Sequence, residues 1–143
     1  MTPTIPTARR LLLATTVVLA AACGDDLIVA PSLAGSYRAT ELRATFTGQT
    51  PVDVLAAGGT LSITIDGSNA TSGTLSIPAS LNGGTAFTAS MAGTATVTGD
   101  NVRFTQNADT FVRDLTWTRT ATGLRVVSQT AGSASFTITL TRQ

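Results

Sequence analysis

Histidine and lysine are absent from this chain, and cysteine, tryptophan and tyrosine occur once each. Without histidine there is no imidazole for a general base or a serine triad, and without lysine no amine for a Schiff base. A single cysteine, Cys23, cannot form a disulfide within the chain. No apolar run reaches the roughly 20 residues that a membrane-spanning helix needs. Basic clusters are also missing. Apart from Arg9 and Arg10, the arginines (Arg38, Arg43, Arg103, Arg113, Arg119, Arg125 and Arg142) are scattered, and these seven bases face eight acids. The electrostatic footprint of a nucleic-acid binder is therefore lacking. The acids Glu41, Asp53, Asp66, Asp100, Asp109 and Asp114 fall mostly in or beside turns, with no spacing that suggests a metal site. "DGSN", from Asp66 to Asn69, lacks the later glycine and glutamate of a calcium loop and reads as a hairpin turn. No enzymatic activity and no cofactor are expected.

What the chain does carry begins at its start. "MTPTIPTARR" has two bases and no acid, and the ten uncharged residues "LLLATTVVLA" follow. This is the pattern of a secretory signal. Three alanines, Ala20, Ala21 and Ala22, stand directly before Cys23. The arrangement resembles the lipobox of bacterial lipoproteins, with Leu19 one place further from the cysteine than in the commonest pattern. The resemblance implies a signal peptide over 1–22, cleavage before Cys23 and acylation of its sulfur by palmitate-type chains. With Gly24 rather than an acid after the cysteine, it also implies an outer-membrane, lipid-anchored protein, facing the periplasm or the cell surface. The alternative is an ordinary signal peptide, which would leave Cys23 as a lone thiol in an oxidising compartment.

Residues 23–34 read as the acylated N-terminus and a tether, with Pro31 interrupting "LIVA" before alternation develops. A domain over 35–143 follows. It is threonine-rich, punctuated by glycine, and its apolar residues recur with period two, which predicts an all-β fold. Eight strands are expected near 36–46, 60–65, 73–77, 86–98, 101–106, 110–119, 123–129 and 133–142. Turn residues separate them. Leu61, Ile63 and Ile65 mark an inward face, as do Leu75 and Ile77, then Phe87, Ala89, Met91, Ala95 and Val97, and finally Phe136, Ile138 and Leu140. Short links between consecutive strands predict an antiparallel up-and-down barrel, with a two-sheet sandwich as the alternative.

The segment 47–59 is different. Thr50 as cap, Pro51, Asp53 and Gly58 predict a short helix after the first strand, which would cover an open end of the barrel as a plug or a lid. Over 35–142 the chain resembles the lipocalin-like, or calycin, β-barrels. "GSY" stands where those proteins carry Gly-x-Trp, and Arg142 on the last strand matches the arginine that packs across that ring. The resemblance implies that Tyr37 and Arg142 close one barrel end.

Arg113 shares the parity of Phe111, Leu115 and Trp117 in the sixth predicted strand, so alternation would point its guanidinium inward. There Glu41, or an acidic ligand head group, could pair with it; a bulge or the rim would instead let it reach water. A parity change at Leu42 and Ala44 suggests such a bulge in the first strand. Arg113, Glu41, Trp117, Phe87 and Phe111 are the candidate ligand-binding residues. Two function classes follow. One is a membrane-tethered module binding a small apolar or amphipathic molecule; the other is an envelope structural or protein-interaction module with a filled barrel.

Overall fold

The computed structural model describes residues 32–143. The signal segment, Cys23 and the tether as far as residue 31 lie outside the described residues. Ten strands follow in order: β1 (Gly35–Phe46), β2 (Val52–Asp53), β3 (Thr60–Ile65), β4 (Ala70–Ile77), β5 (Phe87–Ser90), β6 (Gly93–Thr98), β7 (Asn101–Gln106), β8 (Thr116–Arg119), β9 (Gly123–Ala131) and β10 (Ala134–Arg142). A 3-10 turn, Ala79–Leu81, follows β4, and a single helical turn, α1 (Phe111–Asp114), precedes β8. All pairings are antiparallel, and β10 pairs back onto β1 from Tyr37 opposite Arg142 to Phe46 opposite Ala134. That last ladder closes the sheet into an eight-stranded barrel, with β5 and β6 as one interrupted strand and β2 as a short addition to β1. Closure removes the sandwich alternative. The register defines a lower end, where β1 begins and β10 ends, and an upper end, where β1 ends and β10 begins.

The inward faces follow the expected alternation. Leu61, Ile63 and Ile65 are buried, as are Val102 and Phe104, and Ile138 and Leu140. Outward positions of β3 are Thr60, Ser62 and Thr64, all exposed. The middle and lower lumen is filled by side chains, among them Trp117 and Phe104, whose rings meet edge to face with centroids 5.7 Å apart. Each large side chain so buried contributes about 1.5–3 kcal/mol before the entropy of ordering is counted.

Three local expectations need correction. The fourth predicted strand breaks after Ser90. Thr74–Ile77 pair with β5, but Ala70 and Thr71 pair with β6, and the Met91 N–H donates to the Gly73 carbonyl at 3.0 Å. At this corner Gly73 has φ 129°, and a Cβ there would lie 2.1 Å from the Ser62 carbonyl oxygen, so only glycine fits. Phe87 and Val97 keep the inward parity, opposite Ile77 and Val102, but at the two ends of this broken strand they are exposed.

The helix expected in 47–59 is absent. Above Arg38, β1 no longer pairs with β3, and its freed edge captures Val52 and Asp53 as β2. The Val54 N–H then donates to the Leu42 carbonyl at 2.8 Å. Backbone groups claimed by a ladder are unavailable to a helix. One helical turn remains, capped by Asp53 rather than Thr50: Asp53 Oδ1 accepts from the Ala56 N–H at 3.0 Å. Val54 is buried against the core, so this segment plugs the wall.

The sixth predicted strand joins the sheet only from Thr116, because 111–114 form α1. This turn buries Val112, and the Trp117 indole N–H donates to its carbonyl at 3.2 Å. The bulge in β1 is present as expected: Ala39 faces Leu140 but Glu41 faces Thr139, leaving Thr40 as the extra residue. The inward set accordingly changes from Tyr37 and Ala39 to Leu42 and Ala44.

Candidate functional site at the upper end of the barrel

The upper end holds a pocket of about 350 Å³, partly open to solvent and rimmed by the exposed Phe46, Gln49, Ser80 and Asn82. Its apolar wall is built by Ala44 and Phe46 from β1, Val52 and Val54 from the plug segment, Ile77 from β4, and Leu81 from the 3-10 turn. Phe111 and Phe136 complete it, stacked with centroids 4.3 Å apart and planes inclined by 13°. The elements position this pair. Phe136 is an inward residue of β10, and α1 swings Phe111 over it because the adjoining Val112 is anchored in the core. Gln49, Ser80 and Asn82 add the polar groups. Ligand pockets commonly measure about 300–1,000 Å³, with mostly apolar and aromatic walls and a few polar groups, and this cavity fits the lower part of that range.

A larger concavity, about 610 Å³, lies along Thr96, Thr98, Arg103, Thr105 and Arg113 on the outward side of β6, β7 and α1. Its threonines and arginines are largely exposed, and it is a surface groove rather than an interior site. Among the described residues no three or more histidine, cysteine, aspartate or glutamate side chains gather as a metal would require.

The candidate residues separate widely. Arg113 lies on the outer side of α1, where its guanidinium pairs with Asp109 and, at 3.5 Å, with Asp114. Glu41 instead accepts a hydrogen bond from Thr139 Oγ1 at 3.0 Å and stands 3.8 Å from Arg43 Nε. The expected Arg113–Glu41 pair is therefore not formed, because the helical turn breaks the alternation on which it rested. Trp117 is fully buried and belongs to the packed lumen. Phe87, opposite Ile77 in the β4–β5 ladder, is 39% exposed and does not line the cavity. Phe111 alone of the five stands in the cavity wall.

At the lower end, Tyr37 and Arg142 lie opposite one another in the ladder. The buried Tyr37 hydroxyl donates to the Leu33 carbonyl at 2.6 Å. Arg142 donates to the Ser32 carbonyl at 3.3 Å and to that of Ala34. Its Nε lies over Gly35, where a Cβ would come within 2.6 Å. Both side chains thus grip the backbone of 32–34 and hold Leu33, which is 7% exposed, against the core.

Leu81 carried no signal in the sequence, since it lies in a segment without periodicity, whereas Val52 and Val54 belong to the segment expected to cover a barrel end, and Ala44, Phe46, Ile77 and Phe136 lie on expected strands. No protein-family model, no curated protein and no solved structure matches the chain. Its closed eight-stranded antiparallel architecture is compatible with a lipocalin-like barrel.

Proposed function

We propose that this protein is a lipid-anchored lipoprotein of the bacterial outer membrane whose lipocalin-like barrel holds one small apolar or amphipathic molecule at its upper end. The observation that carries the reading is the cavity of about 350 Å³ walled by the stacked Phe111 and Phe136 and by aliphatic side chains. Supporting it, Ser32 and the cavity mouth lie at opposite ends of the barrel, and the lower end is sealed by Tyr37, Arg142 and Leu33. The anchor rests on the resemblance of the stretch before Cys23 to a lipobox. A second reading, an envelope structural or interaction module, draws on the filled lower lumen, where Trp117, Phe104 and Leu140 leave a solid core.

Native mass spectrometry of the protein purified from its own host tests both parts. A retained small molecule, lost from a Phe111→Arg variant, is the expected result. A bare protein mass in every preparation refutes ligand binding and leaves the structural reading. The Cys23 peptide from the same preparation is expected to carry acyl chains, and an unmodified peptide would refute the anchor.

A further inference from the structure

We infer that the molecule held at the upper end is uncharged, a neutral amphiphile with one slender apolar body and a hydroxyl, ester or amide head; this rests on the ligand-binding reading above. No arginine, aspartate or glutamate lines the cavity. The charged residues nearest in sequence to its wall are committed elsewhere. Asp53, between the wall residues Val52 and Val54, is exposed and bonds the Ala56 N–H. Arg43, opposite Asp53 and next to Ala44, points outward beside Glu41. Arg113, two residues from Phe111, is held by Asp109 and Asp114 on the outer side of α1. A carboxylate or an ammonium seated in this pocket would find no opposite charge among its lining residues, and drawing the charged group down against the apolar wall would cost a great deal.

A neutral polar head meets better partners. Asn82 uses its Nδ2 to donate to the Thr85 carbonyl at 2.8 Å, which leaves its Oδ1 to accept from a ligand. The side-chain amide of Gln49 and the hydroxyl of Ser80 offer a donor and an acceptor beside it. A volume near 350 Å³ admits a single chain or a small ring and excludes a lipid with two acyl chains.

The test compares decanol, decanoate and decylammonium as competitors for a bound hydrophobic dye at neutral pH. Decanol is expected to bind about tenfold more tightly than either ion, or better. A Gln49→Arg variant, changed at the exposed rim of the pocket, is expected to raise decanoate affinity about tenfold relative to decanol. Equal binding of decanol and decanoate to the unaltered protein would overturn this inference while leaving the ligand-binding reading intact. So would a decanoate affinity indifferent to Gln49→Arg. If the dye and all three amphiphiles fail to bind, the ligand-binding reading itself falls.

Discussion

Replacing Gly35 by alanine should unseat Arg142, and the size of the effect can be worked from the contacts. The added Cβ would lie 2.6 Å from Arg142 Nε and 3.1 Å from its Cζ, so the guanidinium must move. In moving it gives up its hydrogen bonds to the Ser32 and Ala34 carbonyls. Hydrogen bonds from a charged donor contribute about 1.5–3 kcal/mol when desolvated, but Arg142 is exposed and water replaces much of what is lost. About 1–2 kcal/mol for the two together is reasonable on that basis. A further cost of about 1 kcal/mol comes from the backbone, because Gly35 has φ 158°, at the edge of the region open to other residues. Gly35→Ala should therefore destabilise the protein by about 2–3 kcal/mol in urea unfolding, the sum of those two contributions. In an Arg142→Ala background only the backbone part should remain, about 1 kcal/mol. The cycle then yields a coupling of about 1–2 kcal/mol, well above the roughly 0.5 kcal/mol expected of independent sites. Additive costs would show that the guanidinium does not hold the segment 32–34, and the account of the lower end given above would be wrong.

Two further outcomes are expected. Gln129→Ala should cost about 1–2 kcal/mol and speed hydrogen exchange at the Thr116 amide, because Gln129 Oε1 accepts from that N–H at 2.9 Å and its Nε2 donates to the Thr116 carbonyl at 2.5 Å; unchanged exchange would refute the bridging role. Asp66 should titrate below the usual aspartate range, since its carboxylate accepts from the Ser68 hydroxyl, from the Ser68 N–H and from the Ala70 N–H. With the folded pKa lowered, the stability this turn contributes is complete above the unfolded value of about 3.9 and is lost as pH falls through the folded one. Carboxyl carbon shifts in an NMR titration would read this directly, and a normal Asp66 midpoint would contradict the turn geometry.

Strands were legible wherever alternation ran uninterrupted. β3, β7 and β10 appear within a residue of their expected limits because each has one apolar face and a turn signal beside it. Even the β1 bulge could be read, since Tyr37 and Ala39 lie out of phase with Leu42 and Ala44. The failures share a different cause. Val52–Asp53 and 111–114 adopt structures set by distant partners: the free edge of β1 in one case, and the Trp117 indole with the core around Val112 in the other. Thr50, Pro51 and Asp53 form a respectable local helix start, but a local preference worth about 1 kcal/mol does not prevail against ladder bonds and a buried valine. The same override removed Arg113 from the interior. Its parity with Leu115 and Trp117 was real in the sequence and void in space, because one helical turn separates it from β8.

Those overrides also explain why the pocket of about 350 Å³ lies at the upper end. At the lower end β1 pairs with both β3 and β10, β7 with β8, and β9 with β10, so the wall is continuous and side chains meet across it. Going upward, β3 parts from β1 beyond Arg38, β8 has not yet begun opposite the upper half of β9, and β4 gives way to the 3-10 turn. Each opening is covered by a substitute for a strand: β2 and Val54 in the first, α1 and the Gln129 amide in the second, Leu81 over the third. Such covers satisfy the backbone but do not continue the inward rows of large side chains that fill the lumen below. The space they enclose is lined by whatever apolar groups the covers carry, and this is why most of the cavity wall comes from residues outside the regular alternation. A small barrel whose lumen is otherwise filled by side chains acquires an open volume where its strands stop pairing, and the chemistry of that volume is decided largely by the covering segments.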